Sequence, residues 1–149
     1  MPLGAEDVET TELGDLLVLG LDRLLGGGGV ALGVQLARAF GLLALGLRPG
    51  ERIGIWSQNC AEWVLVQFAT ARAGLIMVNI NPAYRRAELE YVLGKVGCAA
   101  LILSPSFKTS DYIGMVQDVV PEIRSAQPSQ LDAGKLPALR HVIRLGSER

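Results

Sequence analysis

Hydrophobic positions follow two different spacings from residue 35 onward, one typical of helices and one typical of strands. The predicted helices cover residues 36–47, 61–73, 89–96 and 111–120. The predicted strands cover residues 52–57, 75–80, 99–103 and 141–145. Because helices separate the strands, crossover connections are required, and such connections produce parallel pairing. The predicted fold class is therefore α/β, a partial three-layer domain with a mostly parallel sheet.

Individual residues set the ends of several elements. Asn59 is placed to cap the second helix, and Gly97 is placed to end the third. The Ile, Met and Val residues of 75–80 predict a buried strand, which ends before Pro82 because proline cannot donate to a β-ladder. Residues 124–138 are rich in Ser, Gln, Pro and Gly, and this composition predicts a surface loop.

Residues 1–33 differ in character from the rest of the chain. The run Gly26–Gly29 is costly to hold in a helix or strand, so it separates the Leu-rich stretch Leu13–Leu25 from the α/β pattern. We therefore expect residues 1–33 to be a poorly ordered, acidic and Gly-rich leader. The domain is predicted over residues 34–149, and we expect it to be incomplete because no helix follows the last predicted strand.

Composition excludes several classes of protein. Half of the 149 residues are hydrophobic and 19% are charged, which indicates a folded domain. A net charge of −1 leaves no basic field for nucleic acid. No apolar stretch in the Gly-rich region reaches the ~18 residues that a membrane span needs. Before Arg23 the chain has acidic residues and no basic one, so no transit peptide is visible.

A few polar residues are candidates for sites of their own. His141 is the only histidine, and a structural or surface role is favoured over a metal or triad role. Cys60 and Cys98 are predicted to be small buried residues; a helix follows Cys60, but no basic partner lies near it in sequence. Glu88 and Glu90 project about 200° apart on a helix, so they are predicted to face solvent rather than share a substrate.

The glycine spacing of Gly27, Gly29 and Gly33 is similar to that of a phosphate-binding loop. The preceding residues are not strand-like, so a flexible linker is favoured, and a small dinucleotide binder is kept as a minor alternative. No P-loop, G-x-S-x-G, H-E-x-x-H or C-x-x-C motif occurs in the sequence. A set of aromatic residues is predicted to pack in the core rather than form a ligand platform: Trp56, Trp63, Phe68, Tyr84 and Tyr91.

Four stretches resemble the adenylate-forming acyl-CoA synthetases, in order and at the family's spacing: Gly41–Asn59, Trp63–Gly74, Val78–Tyr84 and Glu88–Leu93. The likeness covers about residues 36–145 and is strongest to mitochondrial medium-chain enzymes. It implies the N-terminal subdomain fold of that family and a mitochondrial location, with the cytoplasm as the alternative. It also implies an activity in which ATP and a medium-chain fatty acid form an acyl-adenylate, which then reacts with coenzyme A, with Mg²⁺ as a cofactor.

The sequence departs from the family at the residues that perform the reaction. The family's Ser/Thr/Gly-rich phosphate loop ending in Pro-Lys-Gly is not found here, nor are its ribose-binding acidic residue and its adenylation lysine. The resemblance therefore assigns no catalytic, cofactor-binding or metal-binding residue, and it implies that the isolated chain is inactive. The alternative is a non-catalytic truncated paralogue or splice form, an interaction module that self-associates through exposed apolar surface. Acyl chain length and oligomeric state stay open.

Overall fold

A computed structural model describes residues 11, 12 and 39, and the ranges 41–127 and 130–145. Ala39 and residues 41–44 are helical. β1 (Thr11–Glu12) precedes these helical residues. The elements after them are, in chain order, β2 (Arg52–Trp56), α1 (Ala61–Arg72), β3 (Ile76–Asn79), α2 (Arg86–Val96), β4 (Cys98–Leu103), β5 (Ser106–Phe107), β6 (Ser110–Asp111), α3 (Tyr112–Val119), a 3₁₀ helix (Pro121–Arg124) and β7 (His141–Arg144).

Five strands form one sheet in the order β1-β7-β4-β2-β3, and every neighbouring pair is parallel. This arrangement confirms the predicted α/β class. β5 and β6 form a separate antiparallel hairpin, which was not predicted because two-residue strands are too short to show a period. Among the described residues, none of the helices is long and apolar enough to span a membrane.

Helices cover both faces of the sheet. Ile53 and Ile55 of β2 lie in one buried cluster, whereas Trp56 lies in the other, because successive strand residues point to opposite faces. α1 packs in the first cluster through Val66 and Ala69. α2 and α3 pack in the second, and their buried side chains include Leu89, Leu93, Met115, Val116 and Val119.

One predicted helix end agrees with the structure, and one predicted helix start does not. Gly97 follows α2 in the left-handed region, with a φ of 64°, where glycine has no steric penalty. Asn59 does not cap α1, which is a correction: the N-cap is Cys60, and no side chain makes the capping hydrogen bond. The hydrogen-bonding ability of Asn59 favoured it, but the extended backbone turns into the helix one residue later.

Two predictions about burial were wrong. β3 pairs only with β2 among the described strands and forms an edge, so Ile76 is 52% exposed instead of buried. The polar range 124–138 is not purely a surface loop. Within it, Ala133 and Leu136 are buried in the cluster formed by α2 and α3, and so is Leu139 just after it. Sparse apolar residues in a polar segment carry no period, so composition alone concealed this packing.

The prediction that the aromatic residues pack in the core is right for only some of them. Trp56 is fully buried as predicted, and Trp63 is half-buried. Phe68, Tyr84 and Tyr91 are exposed, at 47%, 37% and 68% respectively. Phe68 and Tyr91 lie on the outer sides of α1 and α2, which the sheet does not reach. Hydrophobicity predicted a role for these residues, but only the packing determines which side of a helix is covered.

The two cysteines and the residues before position 34 also bear on the predictions. Cys98 is buried as predicted, whereas Cys60 is only half-buried because it stands at the end of α1 and not inside the core. Of the leader predicted over residues 1–33, the structure describes only Thr11 and Glu12, which pair with β7. The glycines Gly27, Gly29 and Gly33 lie outside the described residues.

Candidate functional site

A groove lies beside the hairpin β5–β6, on segments that follow the carboxyl ends of the parallel strands. In open α/β sheets this edge is where ligands bind. Its two adjoining parts have volumes of about 630 and about 500 Å³, and both are lined by Thr109, Ser110, Asp111 and Gly114. We call it the cationic groove because its lining has more basic side chains than carboxylates. The five basic residues are Arg85, Arg86, Lys108, Arg124 and Arg144, and the two acidic ones are Asp111 and Asp118.

Arg85 joins the start of α2 to the hairpin. Its Nη1 donates a hydrogen bond to the Ser110 Oγ at 3.0 Å. Its backbone N–H donates to the Glu88 Oε2 at 3.1 Å, which fixes the first turn of α2. The Glu88 carboxylate is exposed and acts in this capping contact. The Arg85 guanidinium is thus held at the rim of the groove by a neutral partner.

Asp118 of α3 lies between two arginines of the groove. Its Oδ2 is 2.8 Å from the Arg86 Nη2, and its Oδ1 is 3.4 Å from the Arg124 Nη2. All three side chains are substantially exposed. Exposed ion pairs contribute little to stability, about 0–1 kcal/mol each, so these contacts are readily exchanged.

Lys108 occupies an unusual position at the tip of the hairpin. Its φ is 53°, in the left-handed region, and it is the only described non-glycine residue with a positive φ. Its Nζ lies 5.3 Å from the centroid of the Phe107 ring. Asp111, at the base of the same hairpin, caps α3 by accepting a hydrogen bond from the Gly114 N–H at 3.0 Å. The hairpin therefore presents an ammonium group from a fixed backbone.

A buried aromatic stack supports this wall. The rings of Trp56 and Tyr112 lie 3.7 Å apart and are nearly parallel, at 11°. The Trp56 Nε1 donates to the Asn81 carbonyl at 3.1 Å, and the Tyr112 hydroxyl donates to the Pro82 carbonyl at 2.6 Å. Burial raises the pKa of Tyr112, so its hydroxyl stays protonated and continues to donate. The stack connects β2 and α3 to the turn that leads into Arg85.

A second polar cluster lies at the carboxyl ends of β2 and β4. The Ser57 and Ser104 hydroxyls are buried and 2.6 Å apart, and the Cys60 Sγ lies 3.6 Å from the Ser57 Oγ. His141 lies at the start of β7, the opposite end of a parallel strand, where burial and then the Arg140 charge lower its pKa. His141 therefore lies away from Ser57, Ser104 and Cys60, and these described residues form no Ser–His or Cys–His pair.

The carboxylates in and near the groove already have protein partners. No three His, Cys, Asp or Glu side chains in the described part of the chain are close enough to bind a metal ion. In the groove, Asp111 is engaged in capping α3 and Asp118 is paired with two arginines. Glu90 is 3.9 Å from the Lys135 Nζ, outside the groove lining.

No pattern in the sequence identifies the groove residues. Arg85, Lys108 and Asp118 lie in three different segments, and no spacing rule connects them. The one local signal was the pair of adjacent arginines at 85 and 86, after Asn81-Pro82 and just before a helix. Only the parallel order of β2, β3 and β4 brings these segments to the same edge of the sheet.

Comparisons with known proteins agree with this fold. The family described as "AMP-binding enzyme" matches residues 35–146. The rat protein "Medium-chain acyl-CoA ligase ACSF2, mitochondrial" is 50% identical over 105 residues, which cover 70% of this chain and 17% of the relative. "Putative acyl-CoA synthetase YngI" of Bacillus subtilis is 38% identical over 111 residues, which cover 74% of this chain and 20% of that protein.

A solved structure shows the same relationship. The anthranilate CoA ligase AuaEII in complex with anthranoyl-AMP superposes with a TM-score of 0.56 at 27% identity, covering 74% of this chain and 17% of that one. The chain thus spans about a fifth or less of the length of these relatives. The matched residues include both faces of the sheet and the whole cationic groove. The chain therefore belongs to the AMP-binding enzyme family.

Proposed function

We propose that this chain is the N-terminal part of an ATP-dependent medium-chain acyl-CoA ligase. In that reaction a fatty acid and ATP form an acyl-adenylate, and the acyl group is then transferred to coenzyme A. The observation that carries the proposal is the 50% identity over 105 residues to the rat mitochondrial medium-chain acyl-CoA ligase. That relative's name supplies the medium-chain class and the mitochondrial location, and both are part of the proposal.

The cationic groove is the contribution that the described residues make to this function. ATP and coenzyme A both carry phosphate groups, and guanidinium and ammonium groups bind phosphate by charge-assisted hydrogen bonds. Arg85 and Lys108 provide such groups at the edge of the sheet where ligands bind. The groove is therefore proposed to hold a phosphate-bearing part of a substrate, while the Trp56–Tyr112 stack keeps its wall in place.

A polypeptide of these 149 residues alone is proposed to be inactive. Adenylation needs a phosphate-cradling backbone and cations arranged in advance around the reacting phosphate. The Pro-Lys-Gly string that ends the family's phosphate loop does not occur in this sequence. Octanoate-dependent exchange of pyrophosphate into ATP should therefore be absent from the purified chain. Exchange above that of a boiled sample would contradict this part of the proposal.

A chimera tests whether the segment belongs in a working ligase. Residues 35–146 of this chain replace the matched segment of the rat enzyme, and octanoyl-CoA formation is measured. We expect the chimera to keep activity, because the matched segment carries the same fold and half of the same residues. The control is the same chimera with Trp56→Ala, which removes the buried stack and should lose activity. A folded chimera that forms no octanoyl-CoA would contradict the proposed function.

No finding on the described residues favours the alternative, a non-catalytic interaction module, over this function. Val64 and Phe68 are exposed on the outer side of α1 and would carry self-association if it occurs. Light scattering at micromolar concentration measures that self-association directly.

The proposed mitochondrial location is tested by fractionation of source cells with an antibody against residues 58–91. A signal confined to the cytosol would contradict the mitochondrial proposal.

A further inference from the structure

The carboxylate of Asp118 is one of the two that line the cationic groove, and it pairs with two of the groove's arginines. It lies 2.8 Å from the Arg86 Nη2 and 3.4 Å from the Arg124 Nη2, so one carboxylate neutralises part of the charge of two guanidinium groups. The three residues come from α2, α3 and the 3₁₀ helix, which otherwise pack through their apolar sides. The core holds these elements, so the ion pairs are not needed to assemble them.

The positions of the other cations differ from this arrangement. Arg85 contacts a hydroxyl, Ser110 Oγ, and Lys108 lies over the Phe107 ring. Arg85 lines the same part of the groove as Asp118. Lys108 lines the adjoining part, together with Gln117, the residue before Asp118. Of these four cations, two have neutral partners and two share one carboxylate; Arg144 is the fifth basic residue of the lining.

We propose that Asp118 is a counter-anion that selects the charge of the ligand in this groove. The inference rests on the proposed function, in which the groove holds a phosphate-bearing group. A ligand oxygen replaces the Asp118 carboxylate on Arg86 and Arg124, while further phosphate oxygens reach Arg85. A singly charged anion gains only what Asp118 already provides, whereas a ligand with several charges gains additional contacts. Asp118 therefore favours ligands with two or more phosphate charges over monoanions.

The variant Asp118→Asn tests this selection, with pyrophosphate and dimethyl phosphate as probes for the multiply and singly charged classes. Removing the carboxylate frees both arginines, so affinity for each probe should rise, by about two- to fivefold for pyrophosphate as expected for exposed pairs. The relative gain in affinity should be larger for dimethyl phosphate, so the variant should prefer pyrophosphate over dimethyl phosphate less strongly than the wild type does. ATP and coenzyme A, titrated separately, show which source of phosphate the groove prefers.

Asp132→Asn is the matched control, because Asp132 is exposed and lies outside the groove lining. It removes the same charge and should leave both affinities unchanged. If the wild-type chain binds pyrophosphate and Asp118→Asn behaves like Asp132→Asn, or binds more weakly, the role of Asp118 is overturned while the groove remains a phosphate site. If the wild-type chain and every variant fail to bind pyrophosphate, ATP and coenzyme A, the groove itself is not a phosphate site and both proposals about it fail.

A measurement on the wild-type chain keeps the test independent of any variant. The arginine Nε–H resonances of Arg86 and Arg124 are followed by NMR during a pyrophosphate titration. Both should shift together, because the ligand replaces their common carboxylate partner. Binding that leaves these two resonances in place would overturn the exchange at Asp118.

Discussion

Arg140 holds Glu51 in a two-point ion pair. The Arg140 Nη1 donates to the Glu51 Oε1 at 3.0 Å, and the Nη2 donates to the Oε2 at 2.8 Å. Glu51 precedes β2 and Arg140 precedes β7, so the pair spans β4, which lies between these two strands. The hydrogen bonds from Arg140 lower the pKa of Glu51 to about 2. Planar, two-point contacts of this kind fix geometry as well as charge.

This ion pair predicts acid sensitivity in a defined range. The folded-state pKa of Glu51 lies below its ordinary value of 4.5, so its contribution to stability is present above pH 4.5. That contribution is lost as the pH falls from 4.5 towards 2. Glu51→Gln should lower the free energy of unfolding by about 1 kcal/mol at pH 7, a figure reduced for the partial exposure of the pair. Urea unfolding at pH 7 and pH 3 measures the difference.

The comparison with Asp132→Asn completes this test. Asp132 is exposed, so its substitution should leave the unfolding free energy and its pH dependence close to those of the wild type. A Glu51→Gln chain that loses as much stability between pH 7 and pH 3 as the wild type would contradict the assignment of the acid effect to Glu51.

His141 predicts a second pH effect at higher pH. Burial, and then the charge of Arg140, lower the pKa of His141 below its ordinary value of 6.5. In the unfolded chain the imidazole binds a proton as the pH falls through 6.5, while the folded chain still holds it neutral. Stability should therefore fall below pH 6.5, by at most about 1.4 kcal/mol per pH unit. Unfolding free energies at pH 7.5 and 5.5 should show a smaller difference for His141→Gln than for the wild type; equal differences would refute this.

Much of the sheet could be predicted from the sequence, because a buried parallel strand is a continuous apolar run. β4 is such a run, and all six of its residues are buried. The role of Gly97 at the end of α2 could also be predicted, since glycine is the residue type that most commonly ends a helix in the left-handed region. The exposure of Ile76 was not readable, because edge and central strands share the same residue types and differ only in their neighbours.

The candidate site could be predicted from the sequence to a far smaller extent than the fold. Trp56 and Tyr112 are each ordinary aromatic residues in sequence, and their stacking depends on the packing of α3 against β2. Lys108 belongs to the family resemblance in sequence, but nothing there marks it as a groove residue, since a lysine in a turn is common and its positive φ is a property of the folded hairpin alone. The family resemblance arose from a linear pattern of structural residues, and such a pattern identifies kinship without identifying the groups that bind a ligand.

The hydroxyl of Tyr112 predicts a specific loss of stability. Tyr112→Phe keeps the ring on Trp56 but leaves the Pro82 carbonyl without its 2.6 Å hydrogen bond. The free energy of unfolding should fall by about 1 kcal/mol, the usual cost of one such bond. Tyr91→Phe is the matched control, because Tyr91 is 68% exposed, and its effect should stay within about 0.5 kcal/mol. Equal effects of the two substitutions in urea unfolding would show that the Tyr112 hydroxyl does not anchor the Pro82 turn.

Lys108 predicts opposite changes in stability and in binding. A lysine with a φ of 53° is strained relative to glycine, so Lys108→Gly should raise the free energy of unfolding by about 0.5–1 kcal/mol. The same change removes a cation from the groove and should weaken pyrophosphate binding by about two- to tenfold. Lys108→Gln removes the charge but keeps the strained backbone, so it should weaken binding without adding stability. Such strain is retained where a site requires the side chain. If Lys108→Gly gains stability but binds pyrophosphate as tightly as the wild type, the ammonium group has no role in the groove.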